Sequence, residues 1–173
     1  GETVTSLTTF ERESAEVGVT IQGHNSDNGV CTAKELTEKL HQDGQTLRLS
    51  GAGAHHQNGA AKNAIKMITK KARIAMFHAA LRWPEKCDKT LWPLAMAHAV
   101  HVHNHTPRRS DKCTPMELWT RTKSNHSHLI NAHPWGCPVC VLNPKSQDGF
   151  KIPRFDQRAR KGMCLGIAPL HAD

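Results

Sequence analysis

Four basic side chains recur at steps of three and four residues in one stretch of the chain. They are Lys62, Lys66, Lys70 and Arg73, and they follow the turn sequence Gln57-Asn58-Gly59. This spacing is typical of a helix and predicts a row of cations along one helical face. Such a row can contact the phosphates of a nucleic-acid backbone without reading its bases. The alternative is a solvated face that binds nothing.

The same stretch carries apolar residues at the complementary positions. They recur at helical spacing and are Ala61, Ile65, Ile68, Ala72 and Met76. The pattern predicts a long helix with one buried side and the cations on the other. Gln57 and Asn58, in the turn before it, are candidate nucleic-acid contacts, or simply a loop.

One acidic residue stands out upstream. Asp27 lies in the sequence His-Asn-Ser-Asp-Asn-Gly, directly after a short β-like run. A carboxylate at a strand end can hold a hard divalent cation such as Mg²⁺. The spacing alone favours a plain turn, because Asp-Asn-Gly is a strong turn signal.

The composition favours an anionic partner. The 173 residues carry a net charge of +8, and 13 histidines add further potential cations. Nucleic acid is the first expectation and an anionic membrane surface the second. No run approaches the roughly 18 apolar residues of a membrane span, so no membrane-spanning segment is predicted, and of the two anionic partners we expect nucleic acid and not a membrane.

The cysteines and the N-terminus bear on location and completeness. The six cysteines are scattered in a chain whose first residues are polar, which indicates reduced thiols inside the cell rather than secretion. The first residue is glycine rather than methionine, so we expect a piece of a longer protein.

Helical and β-like stretches alternate along the chain. Helices are predicted over 6–17 and 33–40 and strands over 19–22 and 46–49, which indicates an α/β layer fold with mostly parallel pairing. Further helices are predicted over 92–103 and after a capping box at Thr114. We place a domain boundary near Asn131, giving domains 1–130 and 131–173, the second a small β module with strands over 136–142 and 163–167.

Histidines and cysteines offer a different chemistry. His98, His101 and His105 share a predicted helix face, and Cys137 and Cys140 form a C-x-x-C pair. Either pattern can provide ligands for a zinc ion. In a strand, however, the two thiols would point to opposite faces. A small zinc-stabilised structural protein is therefore the alternative function.

Taken in order, seven segments of the chain resemble the integrase of copia-type retrotransposons, within the retroviral-integrase-like superfamily. They are spread over residues 26–172, most of the length of the chain, and are SDNG (26–29), HHQNGAA (55–61), LWPLAMAHAV (91–100), HNHTP (103–107), TPMELW (114–119), HPWGCPV (133–139) and RARKGMCLGIAPLHA (158–172).

The resemblance implies an RNase H-like core followed by a small barrel of the Src-homology type. It also implies DNA strand transfer with Mg²⁺ or Mn²⁺ held by two aspartates and a glutamate. Asp27 matches the second aspartate, and the first would precede Gly1. The position of the glutamate falls on Lys62. An ammonium there repels metal ions, so we expect a catalytically inactive fragment that does not bind them.

The partners follow from the same resemblance. We expect contact with the backbone of DNA or RNA, homo-oligomers because integrases usually work as multimers, and a nuclear location during integration. The upstream strands of the core would be missing from this chain. Because that leaves a sheet edge unpaired, we also expect marginal stability and a tendency to associate.

Overall fold

A computed structural model describes residues 2–26, 33–51, 58–110, 112–124, 132–144 and 149–167. The chain divides into two compact units, the first formed by Gly1–Lys66 and Arg108–Ser124 and the second by Met67–Pro107 and Asn125–Asp173. Helices and short strands mix in it, so the mixed α/β content predicted from the sequence is confirmed, while the two described strand pairs are one parallel and one antiparallel.

The described elements are, in chain order, α1 (Glu2–Glu16), β1 (Gly23–Ser26), α2 (Lys34–Gln42), β2 (Thr46–Leu49), α3 (Gly59–Arg82), a 3-10 turn (Lys89–Leu91), α4 (Trp92–His105), α5 (Pro115–Thr120), β3 (Pro138–Leu142) and β4 (Ala159–Met163).

In the first unit, β1 and β2 form a two-stranded parallel sheet. The register pairs Gly23 with Thr46 and Ser26 with Leu49. The strand expected over 19–22 is therefore wrong by four residues. Tertiary pairing decides the position: β2 approaches so closely that a Cβ at Gly23 would lie 2.2 Å from Thr46 Oγ1. Only glycine fits at position 23, and no local sequence pattern indicates this close approach of the two strands.

Helix α2 connects the two strands and supplies the buried apolar residues of this unit. Leu36 and Leu40 are 4% and 2% exposed. They are four residues apart and thus on one face of the helix. The same unit contains a charged cluster, in which Glu11 of α1 meets Lys39 of α2 at 2.8 Å and His24 of β1 at 3.3 Å. A buried apolar face and this cluster together join α1, α2 and the sheet.

Helix α5 begins as the sequence predicts. The hydroxyl of Thr114 accepts a hydrogen bond from the backbone N–H of Glu117 at 3.1 Å, and the Glu117 carboxylate accepts one from the Thr114 N–H at 2.8 Å. Pro115 occupies the first turn. The predicted capping box is therefore confirmed. It was predictable because all its hydrogen-bond partners lie within four consecutive residues.

In the second unit, α3 and α4 pack through small residues. The buried cluster contains Ala72 and Ala79 from α3 and Ala95 and Ala99 from α4, joined by Trp135. Alanine side chains let two helices approach closely, and Trp135 fills the space beside them. Met163 and Leu165 pack against the same cluster.

Strands β3 and β4 pair in antiparallel fashion, with Pro138 opposite Met163 and Leu142 opposite Ala159. The strand predicted over 136–142 is confirmed except for its first two residues, which form a turn and bulge. The strand predicted over 163–167 is wrong, since β4 ends at Met163. The domain boundary near Asn131 stays a prediction. None of the described helices combines the length and apolar character that crossing a membrane requires.

Candidate nucleic-acid interface

Helix α3 carries cations and no carboxylate. Its 24 residues include six basic side chains and neither Asp nor Glu, so no acid on the helix neutralises them. The six are Lys62, Lys66, Lys70, Lys71, Arg73 and Arg82. Within the described ranges, none of them takes part in an ion pair.

The four cations predicted from the sequence share one side of α3. At about 100° per residue, Lys62, Lys66, Lys70 and Arg73 fall within an arc of roughly 80°. All four side chains are exposed. We call these four residues the cationic row. Lys71 is also exposed but points well away from the row, at about 140° from its centre.

The apolar side of α3 is buried only in part. Ile68 and Ala72 are 8% and 4% exposed, as the sequence predicts, and Met76 packs beside them. Ile65 keeps the same phase but is 64% exposed. The amphipathic pattern is therefore confirmed from Ile68 onwards, while Ile65 finds no cover among the described residues.

The first turn of α3 is electrostatically unfavourable. It contains Lys62 and no acidic residue, although the N-terminal end of a helix carries partial positive charge and favours acids. Lys62 and Lys66, and Lys66 and Lys70, are like charges four residues apart, which destabilise a helix by about 0.2–0.5 kcal/mol per pair. A bound polyanion would relieve both effects.

Arg73 has a second environment. Its guanidinium lies 5.4 Å from the centre of the Phe77 ring, a cation–π contact. It also borders an apolar cavity of about 320 Å³ lined by Met76, Trp92 and Met96. Arg73 is therefore better fixed than a free surface arginine, which reduces the entropy lost when it contacts an anion.

Two predicted contacts and the candidate metal ligand need separate placement. Asp27 and Gln57 lie outside the described residues; β1 ends at Ser26, the residue before Asp27. Asn58 is half-buried directly before α3. Among the described residues no three His, Cys, Asp or Glu side chains are grouped to hold a metal ion. An exposed ammonium at position 62 does not fit a centre for divalent cations.

The second unit contains basic residues that sequence reasoning missed. The ammonium groups of Lys161 and Lys86 lie 5.0 and 5.8 Å from the centre of the Trp83 ring. The Trp83 indole N–H donates to the carbonyl oxygen of Gly136 at 2.8 Å. Trp83 is therefore an anchor rather than an open stacking surface. Trp83 and Lys161 are far apart in the sequence, so no local sequence pattern predicts their contact.

The histidines of α4 meet residues that the sequence leaves far apart. A cavity of about 140 Å³ is lined by His98, His101, His133 and Cys164, among others. The Nδ1 atom of His98 is buried without a hydrogen-bond partner among the described residues. Burial lowers the pKa of His98, so its imidazole is neutral at pH 7. His105 instead directs Nδ1 at the His101 carbonyl oxygen, 2.8 Å away.

Comparison with family models and with curated proteins finds no match for this chain.

Proposed function

We propose that the chain is part of a copia-type retrotransposon integrase that binds the backbone of DNA or RNA and does not catalyse strand transfer. The proposed fold is an RNase H-like core without its N-terminal strands, followed by a small barrel of the Src-homology type. The parallel β1–α2–β2 unit is compatible with the first part and the antiparallel β3–β4 pair with the second. The nucleus is the proposed site of action.

The observation that carries the binding function is the charge of α3. This 24-residue helix has six cations and no acid, and four of the cations are exposed on one side. No acid within the helix therefore offsets the repulsion between these positive charges. Phosphates spaced along a nucleic-acid strand can offset that repulsion by direct contact and by release of condensed counterions. The cationic row provides such contacts without any base readout.

The proposed lack of catalysis rests on Lys62. Two-metal strand transfer needs carboxylates that gather divalent cations around the reacting phosphate. In the family's arrangement Lys62 takes the place of the glutamate, and α3 contains no other acid that could replace it. Bringing a divalent cation next to an ammonium group costs energy instead of releasing it.

Salt-dependent binding tests the proposal. Affinity for a short duplex of random sequence is measured by fluorescence anisotropy at several salt concentrations. Removing one lysine that neutralises a phosphate should lower the slope of log K against log salt by about 0.9. We expect that decrease in Lys66→Ala and in Lys70→Ala, and an unchanged preference among sequences.

Lys71→Ala is the matched control, since it removes the same charge from the same helix on a different side. It should keep nearly the whole slope. Equal decreases in Lys66→Ala, Lys70→Ala and Lys71→Ala would show a diffuse charge effect and would remove the cationic row as an interface. No measurable binding at low salt would remove the binding function altogether.

An activity assay separates an inactive integrase from a module with no catalytic ancestry. The chain is joined to an upstream segment that supplies the first strands of the proposed integrase core, and it is incubated with DNA and Mg²⁺ or Mn²⁺. We expect no nicking or joining with Lys62 present, and a gain only in Lys62→Glu. Activity in the unmodified extended chain would contradict the proposed inactivity. No gain in Lys62→Glu would favour instead a binding module retained for nucleic-acid packaging or scaffolding, with no catalytic ancestry.

A zinc-stabilised structural protein is the second candidate. The observation in its favour is that His98, His101, His133 and Cys164 line one cavity, although no three described side chains are grouped closely enough to hold a metal ion as they stand. Soft nitrogen and sulfur donors of this kind suit Zn²⁺. Metal analysis of the purified chain by mass spectrometry decides the matter, because less than one zinc per chain would remove this candidate.

A further inference from the structure

Two cysteines face each other where the β3–β4 ladder ends. Pro138 pairs with Met163, so the next opposed pair is Cys137 and Cys164. The Cys164 N–H donates to the Cys137 carbonyl oxygen at 2.9 Å, while the Gly136 N–H donates to the Cys164 carbonyl oxygen at 2.7 Å. Two residues of one strand thus oppose one residue of the other, which is a β-bulge with Gly136 at φ +77°.

The two thiols are within reach of each other. Both residues are half-buried, and Cys164 is close enough to Cys137 to raise the pKa of its thiol. Backbone hydrogen bonds from Gly136 to Cys164 and from Cys164 to Cys137 hold the two cysteines side by side at the end of the ladder, and a disulfide spans Cα atoms about 4.4–6.8 Å apart. The pair can therefore be bridged with little movement of the backbone.

None of the other described cysteines, Cys87, Cys113 and Cys140, lies opposite a second cysteine in a strand pair. Cys140, in β3, is exposed and lies three residues after Cys137, so it points to the other face. The Cys87 thiol donates to the Met76 carbonyl oxygen at 3.6 Å. Oxidation of the pair should therefore be selective.

We propose that Cys137 and Cys164 are a redox-sensitive dithiol, which hydrogen peroxide converts into a disulfide that fixes β3 to β4. The thiolate of one cysteine attacks a peroxide oxygen, the O–O bond breaks, and hydroxide leaves to take up the released proton as water. The second thiol then attacks the resulting sulfenic sulfur, and the expelled hydroxide takes the thiol proton to form a second water. Two thiols and one peroxide give one disulfide and two waters, and a thiol reductant reverses the change.

The position of the pair gives the bond a structural effect. On one side the indole N–H of Trp83 donates to the Gly136 carbonyl oxygen at 2.8 Å, and nearby the indole N–H of Trp135 donates to the Leu165 carbonyl oxygen at 3.1 Å. A disulfide between these two hydrogen bonds adds a covalent link where the hairpin is already anchored. Opening of the hairpin should become rarer.

The protonation state of the thiols controls the rate of their oxidation. Burial, and then the neighbouring Cys164, raise the pKa of Cys137 above its ordinary value. Little thiolate is therefore present at neutral pH from this residue, and oxidation speeds up as the pH rises.

Peptide mapping of the whole chain tests the proposal. The chain is treated with hydrogen peroxide, remaining thiols are alkylated, and the digest is analysed by mass spectrometry without reduction. We expect the peptides of Cys137 and Cys164 to be linked, with the loss of two hydrogens, before the other cysteines react. Hydrogen exchange of the β3 and β4 amides should slow at least about tenfold and recover after addition of a thiol reductant.

Cys140→Ser is the control and should leave the linkage unchanged, whereas Cys137→Ser or Cys164→Ser should abolish it. The mapping on the unmodified chain does not depend on how well these variants fold. Linkage of Cys137 to any other cysteine, or persistence of both thiols under excess peroxide, would overturn the proposal. So would formation of the disulfide without a change in exchange of the hairpin.

Discussion

Gly136 lies so close to Ala79 that a Cβ added to it would come 2.4 Å from the Ala79 Cβ. The glycine also has φ +77°, a conformation that residues with a side chain rarely adopt. Two independent constraints therefore meet at one position, backbone conformation and close approach. The Trp83 hydrogen bond to the Gly136 carbonyl oxygen fixes the same corner.

Gly136→Ala should destabilise the second unit by about 2–5 kcal/mol, since positive φ costs about 1–2 kcal/mol and overpacking about 1–3 kcal/mol. Gly149 is the matched control, because it has the same φ of +77° but nothing within 4 Å of an added Cβ. Gly149→Ala should show the backbone cost alone. The free energy of opening, measured by hydrogen exchange of the β3 and β4 amides, checks both. Equal losses of stability would mean that Ala79 moves aside without cost.

Thr114→Ala should weaken α5 by about 1 kcal/mol. The Thr114 hydroxyl accepts the Glu117 N–H at 3.1 Å, and the side chain is almost fully buried. Its removal leaves that donor without its capping partner. Thr8→Ala is the control: the Thr8 side chain is exposed in α1 and bonds only the Val4 carbonyl oxygen, so alanine should be neutral or slightly stabilising. Urea unfolding of the chain measures the difference. A loss of stability in Thr8→Ala as large as in Thr114→Ala would contradict the capping argument.

Local features of this chain were predictable and long-range ones were not. The capping box at Thr114 and the phase of α3 depend on neighbours three and four residues away, so sequence spacing suffices for both. The predicted position of β1 was wrong because the register of this strand is set by pairing with β2, where Gly23 lies opposite Thr46.

The same distinction explains the site. The cationic row needs only helical periodicity, and its exposure agrees with the prediction. The approach of Cys164 to Cys137 and to the His98 cavity depends on how the β3–β4 hairpin packs on α3 and α4. Sequence separation hides such contacts, and a thiol near the histidines was not expected. Asp27 and Gln57 lie outside the described residues, so their predicted roles stay predictions.

The Glu11 cluster should make the first unit sensitive to acid. Burial raises the pKa of Glu11, but the hydrogen bonds from Lys39, Gln45 and His24 outweigh it, so the pKa lies below its ordinary value of 4.5. A carboxyl with a lowered folded-state pKa contributes stability above the unfolded value, and that contribution is lost as the pH falls through the folded value. The loss of stability should therefore appear below about pH 4.5.

Glu11→Gln tests this sensitivity. The variant should lose about 1–2 kcal/mol at pH 7 and show a flatter decline in acid, because the Lys39 contact at 2.8 Å no longer involves a charged partner. Glu16→Gln, at an exposed position of the same helix, should behave like the unmodified chain. Unfolding free energies of the first unit, measured by hydrogen exchange from about pH 3 to pH 7, give the comparison. Parallel acid profiles for the unmodified chain and Glu11→Gln would show that other carboxyl groups dominate.

Lys62→Glu should move stability and binding in opposite directions. The substitution places an acid in the first turn of α3, which has none, and should stabilise the helix by about 0.3–1 kcal/mol. It should also weaken binding to duplex DNA more than Lys62→Ala does. Both variants remove one phosphate-neutralising cation and lower the salt slope by about 0.9, and the glutamate adds repulsion. Thermal unfolding and anisotropy titrations on the same three proteins provide both measurements.

The divalent cation adds a separate check: Mn²⁺ should not raise the melting temperature of the unmodified chain, since Lys62 repels it. Crystals of the unmodified chain soaked in Mn²⁺ that showed two ions bridged beside Asp27 would contradict this electrostatic argument directly.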